Sequence, residues 1–266
     1  MAIIRQAAVA GTFYPAAPHK LESMIRNFLV NAKENLPAPK AIIAPHAGYV
    51  YSGSIAANAY ACLANVCHKI KRVVLVGASH HVYFKAIAAS RADYFSTPLG
   101  QVKVDQDAIS KISAFTDIKI LDEAHFAEHS LEVQLPFLQI LLKNFSIIPL
   151  LAGVIAPQQI AKSIEALWGG LETLVIISSD LSHYFDYKTA QNLDQKTAQA
   201  IIDLNPQNIQ DEQACGLLPI KGLLEVAIKK HLQAKVIDLR NSGDTSGLKD
   251  KVVGYGAFHF FERQKE

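Results

Sequence analysis

Histidines and aspartates stand where several apolar runs of this sequence end, and these residue types together could ligate a divalent metal. Ala41-Ile-Ile-Ala44 continues as Pro45-His46-Ala47-Gly48-Tyr49. Arg72-Val-Val-Leu-Val-Gly77 continues as Ala78-Ser79-His80-His81, and Thr173-Leu-Val-Ile-Ile-Ser178 as Ser179-Asp180-Leu181-Ser182-His183-Tyr184. A fourth run, Ala234 to Leu239, leads into Arg240-Asn241-Ser242-Gly243-Asp244-Thr245. Imidazoles with one carboxylate and open coordination positions form the triad of non-haem iron(II) enzymes. The same set could instead hold a catalytic zinc. Asp180 and His183 are three apart, so a helical turn places them on one face. They could bind the metal, orient a ligand from behind, or act as an acid/base pair.

Plainer readings stand beside these. A lone histidine at a strand end is commonly a hydrogen-bonded structural residue, Asp180 could cap the segment after its strand, and Asp244 could be an ordinary turn aspartate. His81 could be a ligand or lie outside the ligand shell. In Glu128-His129-Ser130-Leu131-Glu132, His129 and Glu132 could reach the same pocket, although capping and the helix dipole explain them as well. His19, His68, His125 and His231 lie in polar surroundings and are expected at the surface. His259 alternates with Phe258 and Phe260, which predicts the solvent side of an edge strand. The three cysteines, Cys62, Cys67 and Cys215, fit no zinc spacing and no cysteine-histidine nucleophile pattern; Cys62 and Cys67 read as small apolar groups near an Ala-rich helix.

To bring these residues together, the short apolar runs must be strands. Several are apolar on both faces, as strands covered by helices on each side are. Ser146 to Leu151 and Val252 to Phe260 complete the set, and the latter predicts an exposed edge that would permit pairing into a homo-oligomer. Helices are predicted over Ser54 to Ala64, Ser130 to Leu142, Lys188 to Leu204 and Pro219 to His231. Pro136 lies too deep in the second for a regular helix, so a kink or a late start is expected. The alternation predicts an α/β layer fold with a central, mostly parallel or mixed sheet flanked by helices. No Gly/Ser- or Pro-rich linker divides the chain, so residues 1–266 read as a single domain. Parallel strands deliver their carboxyl ends to one rim, where ligands bind in open α/β sheets.

The bulk properties exclude other classes. Net charge is +2, from 26 basic and 24 acidic residues, with no run of either sign. A nucleic-acid binder would carry a basic stripe, and this balance names no protein partner either. Three cysteines in 266 residues argue against a disulfide framework and for a reducing, cytoplasmic setting. The N-terminus lacks the apolar core of a signal peptide, and no stretch is long and apolar enough to span a membrane. There is no G-x-S-x-G elbow, phosphate-cradling G-x-x-x-x-G-K-[ST] loop or H-E-x-x-H helix.

The stretches IIAPHAGYVYSG, VLVGASHH, EHSLEVQLPFL, SSDLSHY and CGLLPI, in this order, resemble the Memo family, also called AmmeMemoRadiSam system protein B. AGTFYP near the start and NSGD…VVGYGAF near the end fit as well, so the resemblance covers nearly the whole chain. It implies a fold similar to class III extradiol ring-cleaving dioxygenases, which use non-haem iron(II) to open catechol-type rings. Carried over by motif, His46 and His80 would be metal ligands, with Asp180 and His183 lining the same pocket. Animal members supply a third ligand from a cysteine in the C-terminal loop. The matching position here falls on Thr245, which makes its neighbour Asp244 the expected substitute and iron(II) the expected metal, with copper or zinc as alternatives.

The expectation is therefore a metal-dependent, dioxygenase-like redox enzyme acting on a small molecule, with His183, or else His129, as the base. A non-catalytic metal- or peptide-binding protein and a metallohydrolase are the rival readings.

Overall fold

The computed structural model describes residues 1–32, 37–114, 116–245 and 247–262. Among these, twelve strands join in one mixed sheet. In chain order the elements are β1 (Ile4–Arg5), α1 (Pro18–Val30), β2 (Ala41–Ala44), α2 (Tyr49–Ala61), β3 (Arg72–Ala78) and β4 (Ile87–Ala89). Next come β5 (Tyr94–Thr97), β6 (Gly100–Val104), α3 (Gln106–Ser113), β7 (Ile118–Ile120), α4 (Asp122–Phe126), α5 (Leu135–Leu141) and β8 (Ser146–Ala152). The chain continues through α6 (Pro157–Ala166), β9 (Thr173–Ser178), β10 (His183–Phe185), α7 (Tyr187–Ile202), α8 (Leu217–Lys229), β11 (Leu232–Asn241), α9 (Ser242–Thr245) and β12 (Val252–Glu262).

The centre of the sheet is β8-β3-β9-β2, parallel throughout. Every residue of β2 and β9 is buried, which is why these strands read as unbroken apolar runs. β12 pairs antiparallel to β2, and β11 antiparallel to β12. One group of helices has α2 against β12, β11 and β2 with α1 behind it; another has α8 against β3 and β9, backed by α6. Pro149 lies inside a central strand, where the missing N–H usually excludes proline. It sits where the β6 partners of β8 have ended at Ile147 and those of β4 have not begun, at Leu150.

The helix predicted from Ser130 starts late, as Pro136 requires. A 3-10 turn covers Glu132–Gln134, and α5 begins at Leu135 with the proline in its first turn. Two expectations fail for one reason. β12 is no edge strand: β11 lines one side and β2 and β10 the other. His259 is accordingly fully buried, with Nε2 bonded at 2.8 Å to the carbonyl of Ala59 on α2. Edge pairing through β12 is thus closed as a route to an oligomer. His125 is likewise buried rather than at the surface, its Nε2 3.1 Å from the Ala88 carbonyl. Burial lowers the pKa of both imidazoles to about 4. No helix among the described residues is long and apolar enough to cross a membrane.

Candidate metal centre

Because β2, β3 and β9 run parallel, the segments that follow them emerge at one rim. His46 lies two residues beyond β2 and is 2% exposed. Its main-chain N–H donates to Asp180 Oδ1 at 2.8 Å, and that of Ala47 donates to the same oxygen. Asp180 therefore ties the turn after β2 to the turn after β9. Burial, only partly offset by these two N–H groups, raises its pKa to about 7.

The orientation of the His46 ring follows from a chain of bonds behind it. Ser178 Oγ donates its single proton to the carbonyl of Ser130 at 2.6 Å. Gln134 Nε2 donates to Ser178 Oγ at 2.8 Å, and to the carbonyl of Pro45. Ser178 Oγ can then only accept from His46 Nδ1, 3.0 Å away. That leaves the lone pair of His46 on Nε2. Burial first, and then neighbouring His80 and His129, hold this imidazole well below its ordinary pKa.

His80 is fixed in the same way by a carboxylate. Its main-chain N–H donates to Glu128 Oε2 at 2.6 Å, and Nδ1 lies 2.9 Å from Glu128 Oε1. Glu128 is 2% exposed and accepts a further N–H from Ser130. Burial works against its charge, yet the bonds from His80 and the main chain prevail and hold the carboxyl well below the usual range. With Nδ1–H on Glu128, His80 also presents Nε2 forward. A histidine ring whose second nitrogen is held by a carboxylate is the usual arrangement of a metal ligand.

Both nitrogens face the sulfur of Cys215, which lies 3.2 Å from His46 Nε2. Ligand atoms of His46, His80 and Cys215 lie within 4.8 Å of one another. Two ligands about 2.0–2.3 Å from a shared ion stand about 3.5 Å apart in a tetrahedral arrangement, so the spacing fits one ion. Cys215 reaches this place because Gly216 lets the start of α8 approach β9: a Cβ there would sit 2.6 Å from Ser179 Cβ. The Gly216 N–H donates to Ser179 Oγ at 2.9 Å, and the Asp180 N–H points at the sulfur from 3.3 Å. Burial opposes a charge on His80, but its bonds to Cys215 and Glu128 raise its pKa to about 10, so an ion would bind at Nε2 by displacing a proton.

Sequence reasoning missed Cys215. The three cysteines showed no ligand spacing, yet the motif CGLLPI had carried the residue into view. The expected ligand Asp244 lies elsewhere: Oδ1 accepts from the Tyr187 hydroxyl at 2.6 Å and Oδ2 from the Asn241 N–H at 2.9 Å. It thus serves its own turn after β11. Neighbouring Thr245 bonds back to the carbonyl of Ser242. Glu132 is fully buried and pairs with Arg5 rather than lining the cavity.

Three further histidines surround the group. His129 stacks on His80 with ring centroids 4.7 Å apart, and His81 meets His129 edge-on at 6.1 Å. Burial lowers the His129 pKa to about 4. Glu128, His129 and His80 themselves form a second cluster of possible ligand atoms, but the Glu128 oxygens are already occupied by N–H donors. His183 Nδ1 donates to the Leu181 carbonyl at 2.8 Å, and burial lowers its pKa. A cavity of about 640 Å³ opens over His80, His81 and Cys215, walled by Val82, Phe84, Leu217 and Leu218. Another cavity, of about 530 Å³ around Lys40, Lys69 and Thr173, lies at the opposite strand ends, remote from these groups.

A family model described as Memo-like protein matches residues 5–259. A MEMO1 family protein of Aquifex aeolicus is 33% identical over 264 residues, covering 95% of this chain and 97% of its own. One from Ignicoccus hospitalis is 34% identical over 97% of this chain and 99% of its own. One from Archaeoglobus fulgidus is 33% identical with the same coverage.

Proposed function

We propose, for a chain that belongs to the Memo-like protein family, that His46, His80 and Cys215 hold one redox-active metal ion and that the protein oxidises a small molecule bound beside it. The observation that carries this reading is the convergence of two imidazoles, each locked with Nε2 forward, on one sulfur. Two imidazoles and a thiolate are softer than two imidazoles and a carboxylate, which moves copper ahead of iron(II). When bound, such an ion supplies a redox centre and a template for an organic hydroxyl. The family resemblance implies a fold similar to class III extradiol dioxygenases, and that expectation favours this chemistry over hydrolysis at zinc.

The chain's own groups have distinct tasks in this reading. Asp180 anchors the turn that carries His46. His183 is the base: its Nδ1–H is committed to Leu181, so Nε2 is bare, and burial keeps the ring neutral at pH 7. His129 stacks on His80 and serves as packing for it. The apolar walls beside Cys215 offer a seat for the substrate. Three free cysteines suit a cytoplasmic setting, where the ligand sulfur stays reduced.

The test is metal analysis after anaerobic purification, followed by oxygen uptake with catechols and aminophenols on iron- and copper-loaded protein. Substrate-dependent uptake that disappears in His183→Ala supports the reading. Stoichiometric metal with no uptake across the panel refutes the redox function and leaves a metal-binding protein.

A further inference from the structure

Residues 6–17 contain no regular strand or helix, yet more than half of them are buried or half-buried, across the back of the metal centre. One side chain holds them there. Glu132, fully buried, accepts the N–H groups of Ala8 at 2.7 Å and Val9 at 3.0 Å, and the hydroxyl of Tyr14. The same carboxylate pairs with Arg5, whose guanidinium also donates to the carbonyls of His125 and Glu128. Thus the residue that carries the Glu128 carboxylate is clamped by Arg5, and Arg5 is clamped by Glu132. The strap in turn lays the Phe13 ring on His129 at 4.7 Å, and its carbonyl receives the Tyr49 N–H just beyond His46.

We propose that Glu132 is a positioning residue of the metal centre, acting through Arg5 and the N-terminal strap to hold Glu128, and hence His80 Nε2, on the ion. The inference rests on the ligand set proposed above. Because docking the strap and binding the ion would then favour one another, the coupling must be reciprocal: loosening the strap weakens the metal, and the metal tightens the strap.

The experiment titrates Co²⁺ into full-length wild type, Glu132→Gln, Arg5→Lys and, as a core-truncation control, Ile109→Ala on α3, which packs against β7 and β8. The thiolate absorption band reports the ion, and hydrogen exchange of the Ala8 and Val9 amides reports the strap. We expect Glu132→Gln and Arg5→Lys to bind Co²⁺ roughly ten- to a hundredfold more weakly, the range for partners that support metal ligands, with Ile109→Ala unchanged. In wild type, Co²⁺ should slow exchange at Ala8 and Val9, a readout that needs no variant. Affinities equal to wild type in both strap variants, or exchange at these amides indifferent to Co²⁺, overturn the proposal while leaving the ligand set standing. A wild type that takes up no Co²⁺ overturns both.

Discussion

Gly216→Ala is expected to detach Cys215 from the metal centre without touching any ligand. Its φ of −90° is open to every residue, so the effect is steric and not one of backbone strain. The added methyl would lie 2.6 Å from Ser179 Cβ, 2.7 Å from Ser179 Oγ and 3.1 Å from the Ser178 carbonyl. Carbon atoms in contact stand about 3.5–4.0 Å apart, so the start of α8 must retreat by about 1 Å. Ligand distances tolerate only about 0.2 Å, and overpacking of this size costs about 1–3 kcal/mol. At about 1.4 kcal/mol per factor of ten, Co²⁺ affinity should fall roughly tenfold to a hundredfold. A competition titration that follows the thiolate band measures it. Ser179→Gly in the same chain removes the nearest clash and should recover part of the loss. Affinity within about twofold of wild type in Gly216→Ala would refute the idea that this close approach sets the sulfur's position.

Ser178→Ala should lower metal affinity by a similar factor, because His46 Nδ1 loses the acceptor that fixes its tautomer; the same titration checks it. It should also lower Tm, since the buried groups of Gln134 and Ser130 lose a partner, at about 1–3 kcal/mol. Asp244→Ala should leave metal affinity unchanged and cost only the bonds to Tyr187 and Asn241, so a marked loss of metal would restore this carboxylate to the ligand shell. His125 and His259 give a pH dependence of folding. Burial holds both at about 4, whereas in the unfolded chain they titrate near about 6.5. Between those values the unfolded chain binds the extra protons, so stability is full above about 6.5 and declines as pH drops towards 4. Urea midpoints between pH 7 and 4 should fall, and less steeply in His259→Asn; equal slopes in the two proteins would count against the assignment.

The central sheet was legible because its strands are covered on both faces and their residues are uniformly apolar. Ala41–Ala44 and Thr173–Ser178 stand where the composition puts them. The strands between Ile87 and Ile120 are three to five residues long and too short to show a period. Val252–Glu262 is as apolar as an internal strand, but its alternation of His259 with two phenylalanines imitates an edge. The imidazole is buried only because the Ala59 carbonyl is there to receive it, a pairing 200 residues away in sequence that no local pattern displays. In the candidate metal centre, His46 and His80 were legible because strand ends deliver them. Cys215 was not: it follows no strand, and its place depends on Gly216 letting one loop touch the end of another. Asp244 stands beside Thr245, where the resemblance implies a cysteine in animal members, but its turn already uses both its oxygens.

The most direct test of the ligand set is X-ray absorption of copper- or cobalt-loaded protein, for wild type, Cys215→Ser and Asp244→Ala. One sulfur at about 2.3 Å and two imidazole nitrogens at about 2.0–2.1 Å are the expected shell, with the sulfur lost in Cys215→Ser and the shell intact in Asp244→Ala. A wild-type shell of nitrogen and oxygen alone, altered in Asp244→Ala and indifferent to Cys215→Ser, would contradict it.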